Sequence, residues 1–165
     1  MLGNCLEHVR RTMPLIHNIT NYVTVNDVAN ILLACGGSPI MADDPGEVEE
    51  ITALCSGLNI NIGTLNQRTV ESMRLAGKKA AALGRTILLD PVGAGASALR
   101  TRTAVELIKE IPFTAIRGNM SEIRTLSELA EKKTTGSSGG VDVCPVDAVT
   151  EETSRRPSGL RKTSE

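Results

Sequence analysis

Two carboxylates and an arginine in the second half of the chain are residue types that phosphate chemistry needs. Asp90 ends a short apolar run, Arg117 directly precedes a glycine, and Glu122 follows five residues later. A guanidinium group can donate paired hydrogen bonds to phosphate oxygens, and carboxylates bind magnesium. The three residues therefore predict a site for a magnesium-bound nucleotide. Three simpler roles stay open: a helix or turn cap for Asp90, a surface ion pair for Arg117, and a helix-dipole partner for Glu122.

The loop after Asp90 carries almost no side chains. Residues 91–96 read PVGAGA, so backbone amides could approach a bulky anion, as they do in phosphate-binding loops. The order of the glycines fits neither the G-x-x-x-x-G-K-[ST] nor the G-x-G-x-x-G motif. A tight turn beside a crowded neighbour explains the same composition. Both explanations stay open.

The elements that would position these residues alternate between strand-like and helix-like patterns. Short apolar runs separated by segments with helical spacing are typical of a mostly parallel α/β sheet flanked by helices. The runs predict strands over 15–20, 39–41, 58–62, 86–89 and 113–116, with helices between them and over 120–132. Glycines after helical segments predict left-handed helix ends at Gly36-Gly37, Gly57 and Gly84.

Polar residues gather where the predicted strands end. In an open parallel sheet, ligands bind beyond the carboxyl ends of the strands. The residues expected there, in strand order, are His17, Asn18, Thr20 and Asn21; Met41 and Asp43; Asn61, Gly63 and Thr64; Asp90; and Arg117, Gly118 and Asn119. This clustering predicts a ligand site, although turns are polar in any protein. Taken singly, His17 is more typical of a structural histidine and Met41 of a core residue.

Length and composition narrow the class of protein. With 165 residues, we expect one domain over 1–152, its last residues (141–152) forming a short strand and turn, and a disordered tail over 153–165, where apolar residues are scarce. A net charge of −1 and an aromatic content of 1% argue against nucleic acid as a partner. The four cysteines form no C-x-x-C pair, which argues against zinc and disulfides. No apolar run approaches the roughly 18 residues of a membrane span, so we expect no membrane partner and a cytoplasmic location.

Several long motifs together resemble one enzyme family. PLIHNITNYVTVNDVANILLACGGSPIMA, NINIGTL, ILLDPVGAGAS and AIRGNMSEI, in that order, resemble the hydroxyethylthiazole kinases, which have the ribokinase-like fold. The resemblance runs from about residue 4 to about residue 152. It implies ATP-dependent phosphorylation of the hydroxyl of 4-methyl-5-(2-hydroxyethyl)thiazole in thiamine biosynthesis, with Mg²⁺, by a homotrimer. By motif, it implies thiazole contacts at Met41 and Asn21, an ATP contact at Arg117, and acidic positions near magnesium at Asp90 and Glu122.

The sequence departs from that family at its end. Members continue into a C-terminal third with a Gly-Thr-Gly-Cys type turn, whose amides form the anion hole for the transferred phosphate. This sequence has no such turn, so we assign no catalytic residue and expect a C-terminally incomplete sheet with weak nucleotide binding and little kinase activity. Two other hypotheses remain: a non-catalytic fragment or nucleotide-binding subunit of the same fold, and a ribokinase-like kinase for another small alcohol.

Overall fold

Strands and helices alternate along residues 2–135, which are the residues that the computed structural model describes. The elements, in chain order, are α1 (Leu2–Thr12), β1 (Leu15–Ile19), α2 (Val25–Cys35), β2 (Ser38–Met41), α3 (Val48–Leu54), β3 (Gly57–Asn61), α4 (Gln67–Ala82), β4 (Thr86–Asp90), α5 (Ala98–Glu110), β5 (Ala115–Ile116) and α6 (Met120–Thr135). The strands form one parallel sheet in the order β2-β1-β3-β4-β5. The predicted parallel α/β fold is therefore confirmed.

The sequence located all five strands, with small differences at their ends. The fifth begins at Ala115 rather than at residue 113, and helix α1 was not predicted. The expected strand and turn over 141–152, the end of the domain at 152 and the tail over 153–165 lie outside the described residues. Within residues 2–135, no helix combines the length and the apolar composition that crossing a membrane would require.

Two of the predicted left-handed helix ends are confirmed and one is wrong. Gly36 caps α2 with φ of +93°, and Gly84 follows α4 with φ of +63°. Gly57 instead begins β3, because α3 already ends on Cys55 in an extended conformation. Gly57 lies between β1 and β4, and a Cβ atom there would approach the carbonyl oxygen of Thr86 to 3.3 Å. The close neighbouring backbone explains this glycine.

The apolar core lies on one face of the sheet. Side chains alternate between the two faces of a strand, and the paired residues Ile19 and Ile60 both belong to the buried core. Helix α4 adds Ala76 and Ala80, whose small side chains are fully buried. One residue away in the register, Asn18 pairs with Asn59, so the other face of the sheet carries polar groups at its centre.

Candidate functional site

A row of hydrogen-bonded side chains crosses the carboxyl edge of the sheet. We call Asn21, Asn61, Asp90 and Arg117 the tip network, because they end or follow the adjacent strands β1, β3, β4 and β5. Asn21 Nδ2 donates to Asn61 Oδ1 at 3.1 Å, and Asn61 Nδ2 donates to Asp90 Oδ2 at 2.9 Å. Arg117 Nη2 donates to the same Asp90 oxygen. The strand order thus joins residues that are distant in sequence.

The ion pair in this network is buried at one end and open at the other. The Asp90 side chain is 8% exposed, whereas that of Arg117 is 73% exposed. A carboxylate is costly to bury without partners, and Arg117 and Asn61 supply them. Because most of the Arg117 side chain faces solvent and a guanidinium has five donors, it can bind an anion while it stays beside Asp90. The structure therefore brings together two of the three predicted nucleotide-site residues.

Glu122 reaches the same region through the loop after β4. Its Oε2 accepts from the Asn119 amide at 2.9 Å, and Asn119 Oδ1 accepts from the Glu122 amide at 2.8 Å, which is a reciprocal capping box at the start of α6. Its Oε1 accepts from the Gly93 amide at 2.8 Å. The simpler role, support of the first turn of α6, is thus present in the structure. A metal-binding role for Glu122 stays a prediction.

Four amides of the glycine-rich loop already have partners inside the protein. In the glycine loop (residues 91–97), the Gly93 amide donates to Glu122 and the Gly95 amide to Thr101 Oγ1 at 2.8 Å. The Ala94 and Ala96 amides donate to carbonyl oxygens of the same loop at 2.9 and 3.0 Å. Since all four amides are occupied, the loop does not offer the phosphate cradle that its composition suggested. The alternative, a tight turn with crowded neighbours, describes it correctly.

Crowding and backbone conformation together explain the two glycines of this loop. Gly93 and Gly95 have φ of +75° and +93°, a region that other residues rarely adopt. A Cβ atom on Gly93 would overlap the Arg100 guanidinium, and one on Gly95 would lie 2.8 Å from Thr125 Oγ1. The absence of a Cβ atom at both glycines therefore lets side chains of α5 and α6 pack directly against the loop backbone.

Met41 and Asn21 lie near the carboxyl ends of β2 and β1, the two strands farthest from β5 in the sheet. Met41 is the last residue of β2, is partly buried and pairs with Asn18 of β1. Asn21 is buried, and its Oδ1 accepts from the Val23 and Thr24 amides at 3.0 and 3.1 Å. Asn21 therefore shapes the turn that leads into α2 as well as joining the tip network. The structure places the two residues at the ends of neighbouring strands.

His17 lies inside the fold rather than at a strand end. It is fully buried within β1, with Nε2 2.9 Å from the Ala42 carbonyl oxygen and Nδ1 2.9 Å from Thr52 Oγ1. Because a carbonyl oxygen only accepts, Nε2 carries the proton and Nδ1 accepts from the Thr52 hydroxyl. Burial lowers the pKa of His17, although the Ala42 hydrogen bond and the charge of Glu47 oppose this. His17 is therefore a structural histidine, as its type alone suggested.

Two residues of this region had no predicted role. Asn61 was expected at a strand end, but nothing local indicated that it links Asn21 to Asp90. Arg100, in the first turn of α5, donates from Nη2 to the Gly63 carbonyl oxygen at 2.7 Å. Its sequence neighbours are those of an ordinary solvated helix, so only the packing of α5 against two loops shows this contact. Among the side chains that the structure describes, those of residues 3–130, no group of three or more histidine, cysteine or acidic residues is arranged to hold a metal ion.

Comparison with known proteins gives one consistent result. Residues 6–155 match the hydroxyethylthiazole kinase family. Proteins named hydroxyethylthiazole kinase from Clostridium acetobutylicum and Desulfovibrio desulfuricans are 62% identical over 153 residues and 60% identical over 127 residues. These alignments cover 93% and 77% of this chain but 54% and 45% of the relatives.

A solved structure of a protein with the same family name is also similar to this chain. The hydroxyethylthiazole kinase protein from Pyrococcus horikoshii OT3 superimposes with a TM-score of 0.75 at 42% identity, over 81% of this chain and 52% of the other. The chain thus spans about half the length of the curated relatives it matches.

Proposed function

Because the chain belongs to the hydroxyethylthiazole kinase family, we propose that the protein transfers a phosphoryl group from ATP to the hydroxyl of 4-methyl-5-(2-hydroxyethyl)thiazole, a step of thiamine biosynthesis in the cytoplasm. The observation that supports this reaction best is the exposed Arg117 guanidinium held on buried Asp90 at the carboxyl edge of the sheet. Phosphoryl transfer depends mainly on positioning and on electrostatic stabilisation of phosphate oxygens. A cation fixed by a buried carboxylate is suited to both tasks.

Arg117 is the proposed contact for the ATP phosphates. Its guanidinium is anchored through one nitrogen, which lowers the entropy lost when the remaining donors meet a phosphate. The tip network extends this anchoring through Asp90 and Asn61 to Asn21. A nucleotide at Arg117 and a small alcohol at Asn21 would therefore be bound by connected side chains.

Asp90 and Glu122 are the proposed protein partners of Mg²⁺. Magnesium keeps several waters and is usually bound through one or two carboxylates and the substrate phosphates. The absence of a larger acidic cluster among the described side chains of residues 3–130 is therefore compatible with it. Asp90 receives its hydrogen bonds on Oδ2, which leaves Oδ1 for a cation or its waters. When bound, the ion would neutralise charge on the transferring phosphate.

Met41 and Asn21 are the proposed thiazole contacts. A methionine side chain is polarizable, and its sulfur makes favourable contacts with aromatic rings. The buried Asn21 holds the turn before α2 through two amide hydrogen bonds, so it would give the pocket a fixed wall.

A homotrimer is the proposed assembly. Helix α2 contains no buried residue although it is mostly apolar, and Ile31 and Leu33 are 61% and 58% exposed. Just before the helix, Tyr22 and Val23 are 64% and 89% exposed. Large apolar side chains exposed in this number on one segment are typical of an interaction surface. Light scattering tests this proposal, with the expected result that Ile31→Glu lowers the measured mass.

The kinase proposal is tested by comparing this chain with a version extended by the C-terminal half of the Clostridium acetobutylicum relative. Since the four amides of residues 93–96 are occupied, we expect the donors for the transferred phosphate to come from elsewhere. We expect thiazole-dependent ATP consumption from the extended version and very little from this chain. Arg117→Ala should abolish it and Arg102→Ala, an exposed control on α5, should not. Absence of thiazole-dependent ATP consumption from both lengths would contradict the kinase proposal, and equal consumption by both would contradict the expectation that this chain shows very little activity.

A further inference from the structure

One arginine of α5 lies between two of the loops at the carboxyl edge of the sheet. Arg100 Nη2 donates to the carbonyl oxygen of Gly63 in the β3–α4 loop at 2.7 Å. The same side chain covers Gly93 in the β4–α5 loop so closely that a Cβ atom on Gly93 would lie 3.0 Å from Arg100 Cδ and would overlap the guanidinium. The guanidinium therefore contacts both loops at once.

Each of these loops is also hydrogen-bonded to a different half of the proposed site. The Gly63 amide donates to Asn61 Oδ1 at 2.8 Å, and the same oxygen accepts from Asn21. The Gly93 amide donates to Glu122 Oε1 at 2.8 Å. The β3–α4 loop is thus joined to the thiazole side of the site, and the β4–α5 loop to the nucleotide side.

The contact requires an arginine opposite a glycine. The planar guanidinium has donors at both ends of its fork and covers a backbone surface, which the missing side chain of Gly93 leaves open. A lysine could donate to the Gly63 carbonyl oxygen, but its single ammonium group would not cover Gly93 as well.

We propose that Arg100 is a positioning residue that fixes the two loops relative to each other, and thereby aligns the alcohol acceptor with the phosphoryl donor. This inference rests on the proposed kinase function. Each substrate keeps its own contacts when Arg100 is removed, so substrate binding persists while alignment is lost. Misplacement by about 1 Å in an active site can slow a reaction by roughly 100-fold.

Kinetics of the extended version test the alignment. We expect Arg100→Ala to lower kcat by about 10- to 100-fold with the KM of each substrate within about twofold, and Arg100→Lys to fall between that variant and the unchanged protein. Guanidinium ions at millimolar concentration should restore part of the activity of Arg100→Ala. Arg102→Ala, on the same helix and exposed, should behave as the unchanged protein. An unchanged kcat in Arg100→Ala, or a loss that appears only in KM, overturns the proposal.

Amide hydrogen exchange separates this proposal from the kinase assignment. In the chain as it stands, without substrates, Arg100→Ala should accelerate exchange at the Gly63 and Gly93 amides, and Arg102→Ala should not. Unchanged exchange would show that Arg100 does not hold the loops, whatever the reaction. If exchange accelerates but the extended version does not consume ATP with the thiazole alcohol, the proposed function fails and the loop contact stands. Should Arg100→Ala not fold, Arg100→Lys is measured instead, with the same two outcomes.

Discussion

Replacing Gly95 by alanine tests whether the glycine loop is bare because its neighbours crowd it. Gly95 has φ of +93°, and its missing Cβ would lie 2.8 Å from Thr125 Oγ1 and 3.6 Å from two other Thr125 atoms. Two separate penalties are therefore expected. The left-handed conformation costs an alanine about 1–2 kcal/mol, and the overlap in a packed site costs about 1–3 kcal/mol.

The expected total for Gly95→Ala is thus a loss of about 2–5 kcal/mol in the free energy of unfolding, measured by urea denaturation. Gly84→Ala is the matched control, because Gly84 has φ of +63° but no atom within 4 Å of the built Cβ. It should cost only the conformational part, about 1–2 kcal/mol. The difference between the two variants measures the overlap with Thr125.

A second substitution checks the assignment to Thr125. Thr125→Ala removes the Oγ1 atom and leaves only Cβ, at an ordinary 3.6 Å from the built atom. Alone it should cost about 1 kcal/mol, because the hydroxyl donates to the Ser121 carbonyl oxygen. The double variant should be about 1–3 kcal/mol more stable than the sum of the two single losses predicts.

Two results would refute this reasoning. If Gly95→Ala costs no more than Gly84→Ala, Thr125 does not crowd the loop. If the double variant shows no coupling, the overlap involves another residue. A loop that served as a phosphate cradle would behave differently, since Gly95→Ala would then weaken ATP binding with little extra loss of stability.

Three further predictions concern other parts of the chain. Because burial lowers the pKa of His17, the unfolded state binds a proton at this histidine more readily than the folded state does. The free energy of unfolding should therefore fall as the pH drops below 6.5, by at most about 1.4 kcal/mol per pH unit. Urea titrations at several pH values should show no such pH dependence in His17→Gln and an unchanged one in His8→Gln. Gly77→Ala should lower the thermal midpoint, since its Cβ would overlap Ile111 Cδ1, and Ile111→Val, which removes that atom, should recover part of the loss. Arg117→Ala should lower unfolding free energy by about 1–3 kcal/mol, because it removes the cationic partner of the Asp90 carboxylate, whose side chain is only 8% exposed. Calorimetry should also show at least tenfold weaker ATP binding to the extended version.

The local sequence was sufficient for the order of the five strands and of helices α2 to α6, although not for helix α1. The predicted strands over 15–20, 58–62 and 86–89 match β1, β3 and β4 to within one residue at each end, because apolar periodicity records which face of each element is buried. It also placed Asp90 and Arg117 at strand ends, where the parallel arrangement brings them together. The prediction from local sequence was wrong at Gly57, because the close backbone of a neighbouring strand, and not a helix end, explains this glycine.

The tertiary structure alone decided which polar groups meet. Asn61 and Asp90 are 29 positions apart and Arg100 and Gly63 are 37 apart, and each pair is joined only because β3 and β4 are neighbours in the sheet and α5 packs over their loops. It also decided that the glycine-loop amides are occupied, since Glu122 and Thr101 reach them from two helices. The composition of a segment fixes its conformational preferences, whereas the partners of its polar atoms depend on strand order and register, which involve residues far along the chain.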